Sequence, residues 1–204
     1  MKKLFLNIPF LLLLVVGVAC QNERSREQAN ADEQTEERAE NTQDIAEDAN
    51  DDKFDDNDVK NDADFVAEQV AANYAEVKMA KLAAEKSSLP DIKKVAQSIE
   101  TAHSKNLEEL QQLASAKSIT VPIDADKDAI KTVENLRDEK DAQNFNEEWC
   151  KEMVDKHENT IELFEDKLEK TEDPELKSWI SQSLPGLRSH LDQLRACHER
   201  LKDA

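Results

Sequence analysis

The chain has 204 residues, with 46 acidic against 27 basic side chains, a formal charge of −19 and only two glycines. Gly17 lies in the N-terminal apolar run, so Gly186 alone is left for any folded part, too few for a phosphate-cradling loop, a dinucleotide fingerprint or the tight turns of a sheet-rich fold. The negative charge argues against a nucleic-acid backbone or an anionic membrane surface as partner.

Residues 1–19 predict an export signal. Lys2 and Lys3 form a basic start, and the apolar stretch that follows is shorter than the roughly 20 residues a spanning helix needs. It ends Val16-Gly17-Val18-Ala19-Cys20, which resembles a bacterial lipobox, where the cysteine sulfur takes a diacylglyceryl group and becomes the mature N-terminus. Gly17 stands where that motif usually carries leucine, and Gly-x-Ala also suits an ordinary signal peptidase, so simple secretion is the alternative. With Cys20 lipidated, the chain reaches its membrane through a lipid anchor. Gln21 replaces the aspartate that commonly retains such proteins in the inner membrane, which favours an outer-membrane location in the cell envelope.

Residues 20–62 read as an acidic, disordered tether. From residue 21 onward they hold 16 acidic and 5 basic residues, with Ile45, Phe54 and Val59 as the only large apolar side chains. Such a segment buries too little surface to offset its ordering entropy. Flexible-coil scaling gives it a span of roughly 35 Å.

Residues 63–204 predict one all-α domain. The first long helix runs from about Asp64 to Ser87, and the second from Pro90-Asp91 to about Lys117. Ser118–Asp124, with Pro122, is irregular, and Asp126–Glu139 can form a short helix. A third long helix covers about Asp141–Lys170, and Asp173-Pro174 starts a fourth that reaches Lys202, which Pro185-Gly186 should kink or split.

Apolar stripes three and four residues apart support these helices. The second carries Ile92, Ala96, Ile99, His103, Asn106, Leu110 and Leu113. The fourth carries Leu176, Ile180, Ser183, Leu187, His190, Leu194, Cys197 and Leu201, and the third carries Cys150, Met153, His157, Ile161, Phe164 and Leu168. Two tight hairpins joined by a long connection predict a four-helix bundle with a crossover.

Asp64-Phe65-Val66, Glu76-Val77 before Lys81-Leu82-Ala83, Ile92-Lys93 with Ala96-Gln97, and His103 with Asn106 form a recognisable series. Phe145, Met153-Val154, His157, Leu163-Phe164 and Leu184-Pro185-Gly186-Leu187-Arg188-Ser189-His190-Leu191 complete it. The series resembles the bacterial domain of unknown function 4142 family, predicted outer-membrane proteins similar to ferritin-like helical bundles. That resemblance implies a ferritin-like fold and an envelope location, with no established reaction. The chain departs from the family's pattern at Ala102-His103 and Phe145-Asn146, each of which lacks an aspartate common there.

Register brings four residues together. The third and fourth helices reverse near residue 172, which sets His157 and His190 at similar height, and the first hairpin, reversing near residue 88, does the same for Glu76 and His103. At 1.5 Å per residue all four lie roughly 18–26 Å from their hairpin turns, at mid-height of a bundle about 40 Å long. Three imidazoles and a carboxylate, one per helix, form a candidate site for a transition metal such as Zn, Cu or Fe. Glu100 is peripheral to it, although Glu100-Thr101-Ala102-His103 has the Glu-x-x-His spacing of di-iron proteins. Val154 and Leu187 occupy the matching places before His157 and His190, so a ferritin-type di-iron centre is disfavoured. The alternative is that the histidines bond to one another, to Glu76, Asn73, Asn106 or buried water, and only specify the core of a structural or stress-related interaction protein.

Cys150 and Cys197 share a second height, two turns from the histidines, and read as a disulfide in an exported protein or as two buried free thiols. Trp149 and Trp179 read as core or boundary aromatics. Every histidine lies within a helix and no strained nucleophile turn accompanies one, so the chain is not expected to be an enzyme.

Overall fold

The computed structural model describes residues 42–202; the expected signal, Cys20 and the tether up to residue 41 lie outside them. All regular structure among the described residues is helical. Helix α1 covers 42–51, followed by α2 (Asn57–Lys86), α3 (Pro90–Lys117), α4 (Lys127–Asp138), α5 (Ala142–Lys170) and α6 (Pro174–Lys202).

Short aspartates start most of these helices. Asp56, Asp126 and Asp141 accept hydrogen bonds from the first-turn N–H groups of α2, α4 and α5, and Asp173 does the same for α6 at 2.9–3.0 Å. Pro90 opens α3, where a missing N–H costs nothing. The one left-handed cap among the described residues is borne by Ser118, at φ 59, which closes α3 onto the carbonyls of Ala114 and Ser115.

The long helices form a helical bundle. α2 packs along α3, α5 along α6, α2 against α5 and α3 against α6, while α4 lies on α2 and α5. Neighbours run antiparallel: Trp149 donates to the Met79 carbonyl at 3.0 Å, whereas Lys167, further along α5, reaches back to the Asn61 carbonyl at 2.8 Å. The connection 118–141 therefore returns the chain to the opposite end. Lys86 secures that return by donating to the carbonyls of Leu136, Arg137 and Glu139 at the end of α4. The expected hairpins, crossover and short connecting helix are all present.

Two apolar clusters fill the interior. One contains Met79, Ile99, Trp149, Met153 and Leu194; the other contains Val70, Leu110, Phe164, Ile180 and Leu187. On every long helix the break between them falls at the same level, at Glu76, His103, His157 and His190.

Three expectations require correction. The tether does not stay unstructured to residue 62, because α1 and the start of α2 occupy its C-terminal part. Asn50 is fully buried and clamps Thr120, donating to its carbonyl at 2.9 Å and accepting from its N–H at 2.8 Å. The first turns of α2 lack an apolar stripe, yet they are held by the Asp56 cap and by Asp62, which accepts from Thr171 at 2.6 Å and pairs with Lys167 at 2.8 Å. Secondly, of the kink or split expected at Pro185-Gly186, the split does not occur, and α6 continues through Pro185. Gly186 has no positive φ, and a Cβ built on it meets nothing within 4 Å. Thirdly, Cys150 and Cys197 are buried free thiols.

Candidate metal centre

Each long helix contributes one side chain to the polar layer because each has an apolar stripe interrupted at that height. Glu76, His103, His157 and His190 are all buried, and His157 is fully so. The three imidazole rings form a triangle with centroids 5.4, 5.6 and 5.8 Å apart. One ligand atom from each can be chosen so that all three lie within 4.8 Å of one another. The Glu76 carboxylate joins them, its Oε2 lying 3.1 Å from His103 Nε2 and 3.7 Å from His157 Nδ1.

The outer nitrogens are engaged. His103 Nδ1 faces Asn73 Oδ1 at 3.0 Å, and the Asn73 amide nitrogen is already committed to the Gln69 carbonyl at 2.7 Å. Asn73 can therefore only accept from His103, which fixes the proton on Nδ1. His157 Nδ1 meets the Met153 carbonyl at 2.9 Å, and a carbonyl likewise only accepts. His190 Nε2 reaches Ser98 Oγ at 3.4 Å, a partner that can take either role. Holding the second nitrogen of each imidazole is how proteins orient metal-binding histidines.

The inner atoms are not satisfied in this way. Among the described residues, Glu76 Oε2, His103 Nε2, His157 Nε2 and His190 Nδ1 have no hydrogen-bond partner. For His103, which burial keeps neutral, the proton on Nδ1 leaves a lone pair on the inner nitrogen. A carboxylate oxygen and an imidazole lone pair 3.1 Å apart, away from water, repel unless a cation or a proton lies between them.

Electrostatics favours the ligand forms. Burial holds His103 and His190 below the ordinary histidine value, His190 down to about 4, so both are neutral. Burial pushes the Glu76 carboxyl up, and positive charge on His103 and His157, with less from Lys156 and His190, outweighs it and holds the group below its ordinary value, so the carboxylate depends on a proton or a cation within the imidazole layer. The three imidazoles, with the Glu76 carboxylate beside two of them, could hold a metal ion.

The four residues expected from register thus meet. Glu100 is half-buried and stays outside the group. Asn73 supports His103, while Ser98 and the Met153 carbonyl had no sequence signal: Ser98 is exposed and off its helix's apolar stripe, and a backbone carbonyl carries no residue identity. Trp149 is a core residue, and Trp179 packs on Phe164 with ring centroids 5.2 Å apart.

The model of the family described as a domain of unknown function (DUF4142) matches residues 48–197. No curated protein and no solved structure matches the chain.

Proposed function

We propose that this chain, which belongs to the domain of unknown function 4142 family, binds a transition-metal ion through Glu76, His103, His157 and His190. One observation carries the reading: four buried polar atoms, one per helix, lack hydrogen-bond partners while the other nitrogen of each imidazole is hydrogen-bonded. Four protein ligands complete a tetrahedral shell, which suits zinc first, and copper(II) or iron(II) next. A complete shell leaves no open position for substrate, so the role is storage, buffering or sensing rather than catalysis.

The two antiparallel hairpins and the long crossover support a ferritin-like four-helix bundle. The layer's single carboxylate does not suit ferritin-type di-iron chemistry. The N-terminal signal and Cys20 support an envelope lipoprotein, anchored at the outer membrane and separated from it by an acidic spacer. The net charge of −19 gives no reason to expect a nucleic-acid partner.

The test is thermal unfolding of the full chain with zinc, copper(II) or iron(II), beside a His103→Ala/His157→Ala double variant. An ion at a hundred times its Kd stabilises the parent by about 2.7 kcal/mol and leaves the variant unchanged. No shift, or the same shift in both, overturns metal binding and leaves a structural or interaction protein whose histidines specify packing. Intact mass of the mature protein reads acylation of Cys20.

A further inference from the structure

The two buried cysteines sit on the same helix pair as two of the histidines. Cys150 lies seven residues before His157 on α5, and Cys197 seven residues after His190 on α6. Seven residues are two turns, which return a side chain to the same face about 10 Å along the axis. The His157 and His190 rings face each other with centroids 5.6 Å apart, so the same antiparallel register sets Cys150 opposite Cys197. Both thiols belong to one apolar cluster, and the electrostatic influence of Cys197 reaches Cys150.

Three features make this pair more than packing. Cys197 lines a cavity of about 210 Å³ at the end of the bundle, bordered by Leu89, Ile92, Arg200 and Leu201. Arg200 donates a hydrogen bond to Cys197 Sγ at 3.3 Å, and Asp91 holds the same guanidinium at 3.0 Å. Among the described residues no third histidine, cysteine, aspartate or glutamate groups with the two thiols.

We propose that Cys150 and Cys197 form a second metal site, separate from the histidine layer, that takes copper(I) from the cavity as a two-coordinate bis-thiolate. The donor set selects this ion. Zinc requires four ligands, and no third histidine, cysteine or carboxylate groups with the two thiols among the described residues, whereas copper(I) is soft and accepts two sulfurs. Two S–H bonds break, two S–Cu bonds form, two protons pass to solvent, and no oxidation state changes. The product, one copper(I) between two thiolates, bears a single negative charge, which the Arg200 guanidinium offsets. Without the ion, burial pushes the Cys150 thiol up to about 12 and raises Cys197 as well, so the pair stays protonated and unreactive.

The experiment is an anaerobic titration of the reduced full chain with copper(I) held by a chromogenic chelator, followed by copper X-ray absorption. We expect one copper withdrawn per chain and a first shell of two sulfurs. That site persists in His103→Ala, is lost in Cys150→Ala/Cys197→Ala, and weakens roughly ten- to a hundredfold in Arg200→Gln. Since His103→Ala removes a ligand of the other layer, failure of one site does not mimic failure of the other. A nitrogen and oxygen shell, equal uptake by the cysteine variant, or no copper withdrawn overturns the proposal. The wild-type spectrum decides even if the cysteine variant fails to fold.

Discussion

Glu76 Oε2 lies 3.1 Å from His103 Nε2 in the middle of the bundle, and neither atom has a hydrogen-bond partner among the described residues. Asn73 holds the His103 proton on the far side of the ring, so two acceptors confront each other. This pair separates the metal reading from the packing reading. An amide at position 76 supplies the missing donor. Glu76→Gln should therefore leave the ion-free protein as stable as its parent, or more so by about 1–3 kcal/mol, while abolishing stabilisation by zinc. Urea unfolding with and without zinc checks both halves. A destabilised variant that keeps its zinc response would contradict the arrangement.

Asn73 acts through His103. Asn73→Ala frees His103 Nδ1, lets the ring turn and should weaken metal binding roughly ten- to a hundredfold without removing a ligand. Competition titration with a zinc chelator measures this, and Asn73→Asp, which restores an acceptor, should recover most of the loss.

Acid should weaken the ion-free protein. His190 is held down to about 4 and His103 below its ordinary value of 6.5, both by burial. The unfolded chain takes up protons near 6.5 that the folded chain refuses, so the unfolded state binds more protons and stability rises with pH. The contribution is complete above about 6.5 and is lost as pH falls toward 4. Glu76, held below its ordinary 4.5, acts in the same sense at still lower pH. Denaturant midpoints should fall steadily across that interval; a flat profile would count against neutral buried imidazoles.

Gly186 is exposed inside α6, without a positive φ and with open space where a Cβ would go. Gly186→Ala should stabilise the chain by about 0.5–1 kcal/mol, because alanine loses less backbone entropy in a helix. Thermal unfolding reads the gain. A loss there would show that the glycine relieves the neighbouring Pro185.

The docking of 42–51 rests on the Asn50 clamp. Asn50→Ala removes both bonds to Thr120 from a fully buried position and should cost about 1–3 kcal/mol locally. Hydrogen exchange should rise in 42–56 while the mid-bundle amides keep their protection. Unchanged exchange would mean that the clamp contributes little to holding this segment.

Much of this protein was legible along the chain because helix information is local. Stripes at three and four residues specify a helix and its buried face, so α3, α5 and α6 match their expected limits closely, and every stripe residue from Leu176 to Leu201 is buried. Uniform rise per residue then carried Glu76, His103, His157 and His190 to one height. What the chain alone did not determine depends on partners distant in sequence. Asn50 reads as one more polar residue of an acidic spacer until Thr120, 70 positions away, meets both ends of its amide. Which nitrogen of each imidazole faces inward follows from Asn73, Met153 and Ser98, two of them on other helices than the ring they hold. Periodicity states which face a side chain occupies. Ring orientation, and with it the difference between a packed histidine and a ligand, is decided by hydrogen bonds that only the tertiary structure assembles.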